Sequence, residues 1–158
     1  MTGPGELQPI STDLPASDEG SFSPDGRLVS YQNSRTGRAE VYLSPFPPTG
    51  ERWQVSPDGG VQARWGADSR TLYYLDQTGK LLRVSVSTDT PPRISRPEVL
   101  FDSGLGQPSG IVEEYAVHGN RFLFLRRAAE APQQAIAVLS NWTNALPATA
   151  TAVPPRPR

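Results

Sequence analysis

The chain repeats one strand–turn–strand unit at a spacing of 43 residues. The stretch SFSPDGRLVSY at 21–31 matches RWGADSRTLYY at 64–74. This match superimposes Phe22 on Trp65, Asp25 on Asp68, Arg27 on Arg70 and Tyr31 on Tyr74. A third copy, YAVHGNRFLFL at 115–125, aligns with a gap of about two residues at its turn. Such a repeat predicts small units that stack on one another, because one unit cannot bury its apolar faces alone.

The apolar runs between residues 5 and 146 are short, rich in β-branched and aromatic residues, and bounded by turn residues. The chain has 17 prolines and 14 glycines, and Pro132 interrupts RRAAEAPQQAIAV, the segment nearest to a helical period. The sequence therefore predicts an all-β fold. Four short strands in a repeat of about 40–45 residues are typical of a β-propeller blade, a small antiparallel sheet.

We predict about three four-stranded antiparallel blades, at approximately 20–56, 61–103 and 113–142. GELQPIS at 5–11 echoes GERWQVS at 50–56, so 5–11 is predicted to be an outer strand. Residues 5–146 are thus interpreted as a partial β-propeller. The ends, 1–4 and the Pro/Ala/Thr-rich 147–158, lack apolar periodicity and are predicted to be disordered.

The SPDG element predicts a tight turn between two strands. Pro24 presets φ at the first corner, Asp25 caps the turn, and Gly26 accepts a positive φ as the chain leaves it. We expect Phe22 and Leu28, on the two flanking strands, to pack between blades.

Several segments resemble the TolB-like, WD40-like propellers that carry an S-P-D-G turn in their repeats. They are FSPDGRLVSY (22–31), RTGRAEVYLSPFP (35–47), ERWQVSPDGGVQARWGADSRTLYYLD (51–76), PEVLFDSG (97–104), EYAVHGNRFLFL (114–125) and IAVLSNWTNAL (136–146). Among these propellers, the chain is most similar to the C-terminal propeller of bacterial receptor-like Ser/Thr protein kinases. The departures, Ala67-Asp68-Ser69 in place of Pro-Asp-Gly and the shortened turn at His118-Gly119, are turn variants.

The resemblance implies a non-catalytic interaction or sensor module that binds a protein or a small ligand through rim loops. It also implies a periplasmic or otherwise extracytoplasmic location, with a cytoplasmic one left open. Closed propellers usually have about 4–8 blades, so three blades predict an incomplete propeller, the C-terminal part of a ring that has six. A second interpretation is a homodimer in which two chains close the six-bladed ring.

The composition narrows the classes of partner that the chain is expected to bind. The net charge of −1 gives no basic surface for a nucleic acid, so no nucleic-acid partner is expected. The chain has no cysteine, which removes disulfides and thiolate zinc sites. No stretch approaches the roughly 20 apolar residues of a membrane span, and no signal pattern opens the sequence, so membrane insertion of this segment is not expected.

No catalytic motif is recognisable. The chain lacks G-x-S-x-G and the kinase motifs V-A-I-K, H-R-D and D-F-G, and GLGQPSG at 104–110 lacks the third glycine of a dinucleotide loop. The one histidine, His118, lies at a predicted turn, which favours a solvated side chain over a Ser-His-Asp site. The sequence therefore predicts no catalytic residue, no cofactor and no metal ligand, and leaves the binding residues unknown.

Two groups of side chains, carboxylates and aromatic rings, are interpreted as structural rather than functional. The scattered carboxylates are interpreted as solvated surface: Asp13, Asp18, Glu19, Asp58, Asp68, Glu113 and Glu114. The aromatic residues at matched repeat positions are predicted to pack in the core rather than form a stacking platform: Trp53, Trp65, Tyr73, Tyr74 and Trp142.

The sequence is compatible with three functions. The first is the non-catalytic binding module. The second is the propeller of a prolyl-oligopeptidase-like hydrolase whose catalytic domain is absent from this chain, and the third is an active site at the channel mouth, which a single histidine disfavours. For binding, the rim loops FPPTGE (46–51) and DSGLGQPSGIVEE (102–114) are the predicted locations.

Overall fold

The computed structural model describes residues 17–108, 114–127 and 134–139. Every regular element in those ranges is a strand. The strands are β1 (Ser17–Phe22), β2 (Leu28–Asn33), β3 (Glu40–Pro45), β4 (Trp53–Gln54), β5 (Val61–Trp65), β6 (Thr71–Leu75), β7 (Lys80–Ser85), β8 (Glu98–Asp102), β9 (Tyr115–His118), β10 (Arg121–Arg127) and β11 (Gln134–Leu139). The all-β prediction is confirmed for these residues.

The strands form three antiparallel sheets in which chain neighbours are hydrogen-bonded neighbours. Sheet I has the order β1-β2-β3-β4, sheet II has the order β5-β6-β7-β8, and sheet III has three described strands in the order β11-β10-β9. The first strand of sheet II contacts the first strands of both other sheets. This succession of meandering sheets, side by side at their first strands, is propeller-like.

The first SPDG turn has the predicted chemistry. The backbone N–H of Gly26 donates to the carbonyl of Ser23 at 2.8 Å, and Gly26 has a φ of 72°. The carboxylate of Asp25 accepts hydrogen bonds from the Ser23 hydroxyl at 2.7 Å and from the backbone N–H of Arg27 at 3.2 Å. The turn therefore links β1 to β2 through local bonds that the sequence encodes.

The second copy keeps the turn but changes its last residue. The N–H of Ser69 donates to the carbonyl of Gly66 at 3.3 Å, and Asp68 accepts from the N–H groups of Arg70 and Thr71, both at 2.9 Å. Ser69 has a φ of 57°, where the first copy has a glycine. A side chain in this left-handed conformation costs about 1–2 kcal/mol.

Sheet II is covered on both faces, because its side chains alternate along each strand. In β6, Leu72 and Tyr74 face sheet I, whereas Tyr73 and Leu75 face sheet III. The I/II interface contains Val41, Leu43, Val55, Ala63, Leu72, Tyr74, Leu82, Val84 and Val86, all buried. The II/III interface contains Val61, Tyr73, Leu75, Leu81, Leu100, Tyr115, Phe122 and Phe124.

One packing prediction is confirmed and another is wrong. Leu28 packs against the I/II interface as expected. Phe22, expected to pack between blades, is 51% exposed, and its described ring contact is an edge-to-face one with Phe46 at 4.9 Å. Its repeat partner Trp65 does pack against the I/II interface, because sheet I lies in front of it.

Some predictions about aromatic residues concern described residues, whereas those about Trp142 and the chain ends do not. Tyr73 and Tyr74 are buried, and Trp53 and Trp65 pack against the core, as predicted. Trp142, the predicted outer strand 5–11 and the ends predicted to be disordered, 1–4 and 147–158, lie outside the described residues. The blade limits at 20–56, 61–103 and 113–142 stay predictions.

Candidate functional site

A polar cleft of about 460 Å³ lies between sheets I and II, at the end of the sheets where the β2–β3 and β6–β7 turns lie. Its walls come from five separate segments of the chain. They are Asp18, Gln32, Ser34, Gly37, Arg38, Ala39, Val61, Gln77, Gln107 and Pro108. We call this site the inter-sheet cleft.

The two rim loops predicted from the sequence lie at opposite ends of the sheets. Successive turns of an antiparallel meander alternate between the two ends, so loop 46–51 lies with the SPDG turn, away from the cleft. The described part of loop 102–114 follows β8 at the cleft end, and it supplies Gln107 and Pro108 to the lining. Of the two predicted loops, only the second therefore contributes to the cleft.

The wall from sheet II is fixed by backbone contact between two loops. Gly79, in the β6–β7 turn, has a φ of 84°, and a Cβ there would overlap the carbonyl of Gly106. The backbone N–H of Ser103 donates to the carbonyl of Gly79 at 3.1 Å. Loop 102–108 is thus held against the turn that carries Gln77, which places Gln77 and Gln107 on the same wall of the cleft.

The wall from sheet I is fixed by a buried carboxylate. Arg38 pairs with Glu40 at 3.1 Å and donates to the carbonyl of Pro57, and the hydroxyl of Tyr42 donates to Glu40 at 2.8 Å. Burial opposes the charge on Glu40, but the bonds from Tyr42 and Arg38 outweigh it and lower the Glu40 pKa. Burial, together with the bond to Glu40, raises the pKa of Tyr42 to about 12.

A chain of hydrogen bonds runs from the cleft through sheets I and II to Glu114, the residue that precedes β9. Gln32 Nε2 donates to Asp18 Oδ1 at 2.9 Å, and Gln32 Oε1 accepts from the backbone N–H of Gln62 at 3.1 Å. Gln62 Oε1 accepts from the N–H of Glu114 at 2.9 Å, and Gln62 Nε2 donates to Glu114 Oε2 at 3.1 Å. Gln62 is completely buried. These bonds fix the Gln32 amide at the cleft.

The backbone has bulges at matched positions in the two strands that carry Glu19 and Gln62. Glu19 has a φ of 50° and Gln62 a φ of 57°, and the two lie 43 residues apart, in the first strands of sheets I and II. Each lies where the strand pairing shifts register. Non-glycine residues rarely adopt this conformation, and they do so where surrounding contacts hold them. The repeat therefore preserves a strained bulge as well as a turn.

The carboxylates predicted to be solvated surface take different positions. Asp18 is exposed but also bonded to Gln32, and Glu114 is bonded to Gln62. Asp58 is exposed, and Asp68 caps its turn. Asp13 and Glu113 lie outside the described residues. Gln32 and Gln62 were not predicted from the sequence.

The cleft offers hydrogen-bonding groups rather than a reactive centre. Asp18 keeps one carboxylate oxygen beyond its bond to Gln32, and Gln77 and Gln107 present amides. His118 is exposed at the end of β9, next to the β9–β10 turn and at the opposite end of the sheets from the cleft. Within the described ranges, no group of three or more His, Cys, Asp or Glu residues is arranged to hold a metal ion.

No protein-family model matches the sequence, and no curated protein matches it. Among solved structures, it is similar to an acylaminoacyl peptidase from Pyrococcus horikoshii, with a TM-score of 0.46 and 14% identity. The similar region covers 80% of this chain and 24% of the peptidase, so the chain spans about a quarter of that protein. An overlap at this level does not assign the peptidase's activity to the chain.

In the part of the chain that the structure describes, no helix is long and apolar enough to cross a membrane.

Proposed function

We propose that the chain is a non-catalytic β-propeller module that binds a protein segment or a small polar ligand in the inter-sheet cleft. The observation that carries this proposal is the lining of the cleft, where polar side chains from both sheets converge on a space of about 460 Å³. Small-molecule sites usually have volumes of about 300–1,000 Å³ and are mostly apolar with a few fixed polar groups, so a lining as polar as this one favours a polar ligand.

The chemistry of the cleft favours a ligand with both donors and acceptors, such as a peptide. The amides of Gln77 and Gln107 can each donate and accept, which matches a peptide backbone. Arg38 is paired with Glu40, so among the lining residues the carboxylate of Asp18 is the charge left for the ligand. A peptide with a free amino terminus or a basic side chain therefore fits better than an acidic one.

The test uses NMR titration of the ¹⁵N-labelled chain with two blocked tripeptides, Ala-Lys-Ala and Ala-Glu-Ala. We expect amide shifts at 34–39, 77 and 107 that are larger with the lysine peptide and lost in Gln77→Ala/Gln107→Ala. The matched control is Thr49→Ala, in loop 46–51 at the other end of the sheets. Shifts confined to loop 46–51, or none with either peptide at millimolar concentration, would overturn the proposal.

The wider context is also part of the proposal. The S-P-D-G turns and the segments that resemble TolB-like propellers support a place beside a bacterial Ser/Thr kinase domain, outside the cytoplasm. The test is the genomic reading frame upstream of this segment, together with the location of a tagged full-length protein. A kinase domain and a membrane span before it would support the proposal, whereas a hydrolase domain would favour the prolyl-oligopeptidase-like alternative.

A further inference from the structure

The end of sheets I and II that carries the β2–β3, β4–β5 and β6–β7 turns, here called the cleft end, has an excess of acidic residues. Its charged residues lie in those turns, in loop 103–108, or among the two residues at the cleft end of each strand. They are the acids Asp18, Glu40, Asp58, Asp76 and Asp102 and the bases Arg35, Arg38 and Lys80. With five acids against three bases, the cleft end attracts a positively charged ligand.

Three of those acids lie beside the amides that line the cleft. Asp18 is itself part of the lining, and one of its two carboxylate oxygens already accepts a hydrogen bond. Asp76 immediately precedes Gln77 in the chain. Asp58 precedes Gly59, where an added Cβ would come within 2.8 Å of Gln77 Nε2. The cleft thus sets amide donors beside negative charge.

The part of the chain that follows β11 has the opposite charge. Residues 140–158 include two arginines, Arg156 and Arg158, and no acidic residue. The stretch VPPRPR at 153–158 also contains three prolines. Because proline has no backbone N–H and a fixed φ, a proline-rich segment presents carbonyl acceptors and loses little entropy when it is bound. Its carbonyls match the amide donors of the cleft, and a guanidinium group matches a carboxylate through two parallel hydrogen bonds.

The chain is long enough to bring this segment to the cleft. Strand β11 ends at Leu139, opposite Phe122, so the chain leaves sheet III at the end of the stack where the SPDG turn lies. The way back is about 20 Å along a strand of this length and about 10 Å for each sheet crossed. The sixteen residues 140–155 span up to about 50 Å at about 3.1 Å per residue. Arg156 is therefore within reach of the cleft.

We propose that segment 153–158 docks in the inter-sheet cleft of its own chain. An arginine of the segment pairs with Asp18, and the proline carbonyls accept hydrogen bonds from Gln77 and Gln107, which line the cleft. This inference rests on the function proposed above and deepens it, because the segment competes with any other peptide for the same site. A tethered segment has an effective concentration in the millimolar range, so even a weak contact is populated.

The experiment uses a nitroxide spin label, which broadens the NMR signals of amides close to it. The chain has no cysteine, so Ala152→Cys creates a single labelling site next to the segment. In the ¹⁵N-labelled full chain, we expect the broadening at 34–39, 77 and 107 to be at least twice that at loop 46–51. Broadening that is strongest at any other part of the sheets would overturn the proposal.

Charge reversal tests whether the arginines hold the segment in place. Arg156→Glu/Arg158→Glu should reduce the broadening at the cleft at least twofold. The matched control is Arg70→Glu/Arg96→Glu, which makes the same change of charge at two exposed arginines outside the cleft end, and it should leave the broadening unchanged. An equal effect of the two double variants would refute the proposed contact.

A mixing experiment tests whether the contact lies within one chain. Spin-labelled chain without ¹⁵N is added in equal amount to ¹⁵N-labelled wild type, and we expect no broadening at the cleft. Broadening there would mean that the segment docks on a second copy, which would overturn docking within the chain.

A titration with the lysine tripeptide separates this inference from the proposed function. We expect the Kd of Ala-Lys-Ala to be at least twofold lower in Arg156→Glu/Arg158→Glu than in the wild type, and an equal Kd would refute the competition. Peptide binding in a chain whose cleft shows no broadening from the label would refute this inference alone. Broadening at the cleft that millimolar tripeptide does not diminish would instead refute peptide binding there.

Discussion

The most informative perturbation is at Gln62, where the sequence shows an ordinary strand residue and the structure shows a strained one. Gln62 is completely buried, has a φ of 57°, and makes two side-chain hydrogen bonds to Glu114. Both Gln62→Ala and Gln62→Gly remove those bonds and leave the N–H of Glu114 without its acceptor. Together with the lost methylenes, this common cost is about 3 kcal/mol in the free energy of unfolding.

The difference in stability between the two variants isolates the effect of the backbone conformation, because both variants lose the same side-chain hydrogen bonds. Alanine in the left-handed region costs about 1–2 kcal/mol, whereas the extra freedom of glycine in the unfolded chain costs about 0.4–1 kcal/mol. We therefore expect Gln62→Gly to be more stable than Gln62→Ala by about 0.5–1 kcal/mol. That order is the reverse of the usual one inside a strand, where glycine is the less stable residue by about 0.5–1 kcal/mol.

The assay is equilibrium unfolding in urea, followed by tryptophan fluorescence and compared at equal m-values. The control is Ala63→Gly, at the next residue of β5, which is buried and is not among the residues with a positive φ. There we expect a loss of about 1 kcal/mol or more. If Gln62→Ala proved more stable than Gln62→Gly, the strained backbone at Gln62 would not exist in solution, and Glu19 and Gln62 would not form matched bulges.

Three further predictions concern other local features. Gly79→Ala should destabilise the chain by about 2–4 kcal/mol in urea unfolding, because its positive φ and the overlap with Gly106 act together. Tyr115→Phe should leave stability unchanged or raise it by about 1 kcal/mol, because the buried Tyr115 hydroxyl has no hydrogen-bond partner among the described residues. The chain should lose stability in acid. The bond from Ser23 lowers the pKa of Asp25. Burial opposes the charge on Asp68, but bonds from the N–H groups of its turn outweigh burial and lower the Asp68 pKa. Since both carboxyls have lower pKa values in the folded state, their contribution is complete above about pH 5 and disappears as the pH falls through those lowered values.

Each of these predictions has a control. Gly37→Ala has a positive φ of 91° but open space around its Cβ, so it should cost clearly less than Gly79→Ala. Tyr73→Phe tests whether loss of a hydroxyl alone changes stability at the same interface. For the pH profile, Asp68→Asn should flatten the acid slope, and an unchanged slope would contradict the assignment. A loss above about 1 kcal/mol in Tyr115→Phe would mean that its hydroxyl is hydrogen-bonded after all.

Much of the fold could be predicted because it depends on local chemistry. The turn at Pro24-Asp25-Gly26 forms from bonds within six residues, and its prediction is confirmed. The alternation of Leu72 and Tyr74 with Tyr73 and Leu75 follows from the period of a strand, so a sheet covered on both faces was readable in advance. The exposure of Phe22 could not be predicted from the sequence, because its burial depends on whether a sheet lies in front of it.

The candidate site was predicted only in part. Loop 102–114 was named for binding, and it lines the cleft through Gln107 and Pro108, but loop 46–51 lies at the other end of the sheets. The amides of Gln32 and Gln77 were missed, since an isolated glutamine carries no motif. Gln77 and Gln107 lie together through the pairing within sheet II, and Gln32 joins them only when sheets I and II stack, which brings together residues far apart in the sequence.

The sequence by itself determined the period of 43 residues, the turn chemistry and the strand alternation, because each of these is set by interactions between residues that are near in the chain. The tertiary structure decided the left-handed conformations of Glu19 and Gln62 and the hydrogen-bond chain from Asp18 to Glu114. It also decided which aromatic residues are covered. These features depend on contacts between sheets, whose geometry is set by packing over the whole stack and leaves no local pattern in the residues that form them.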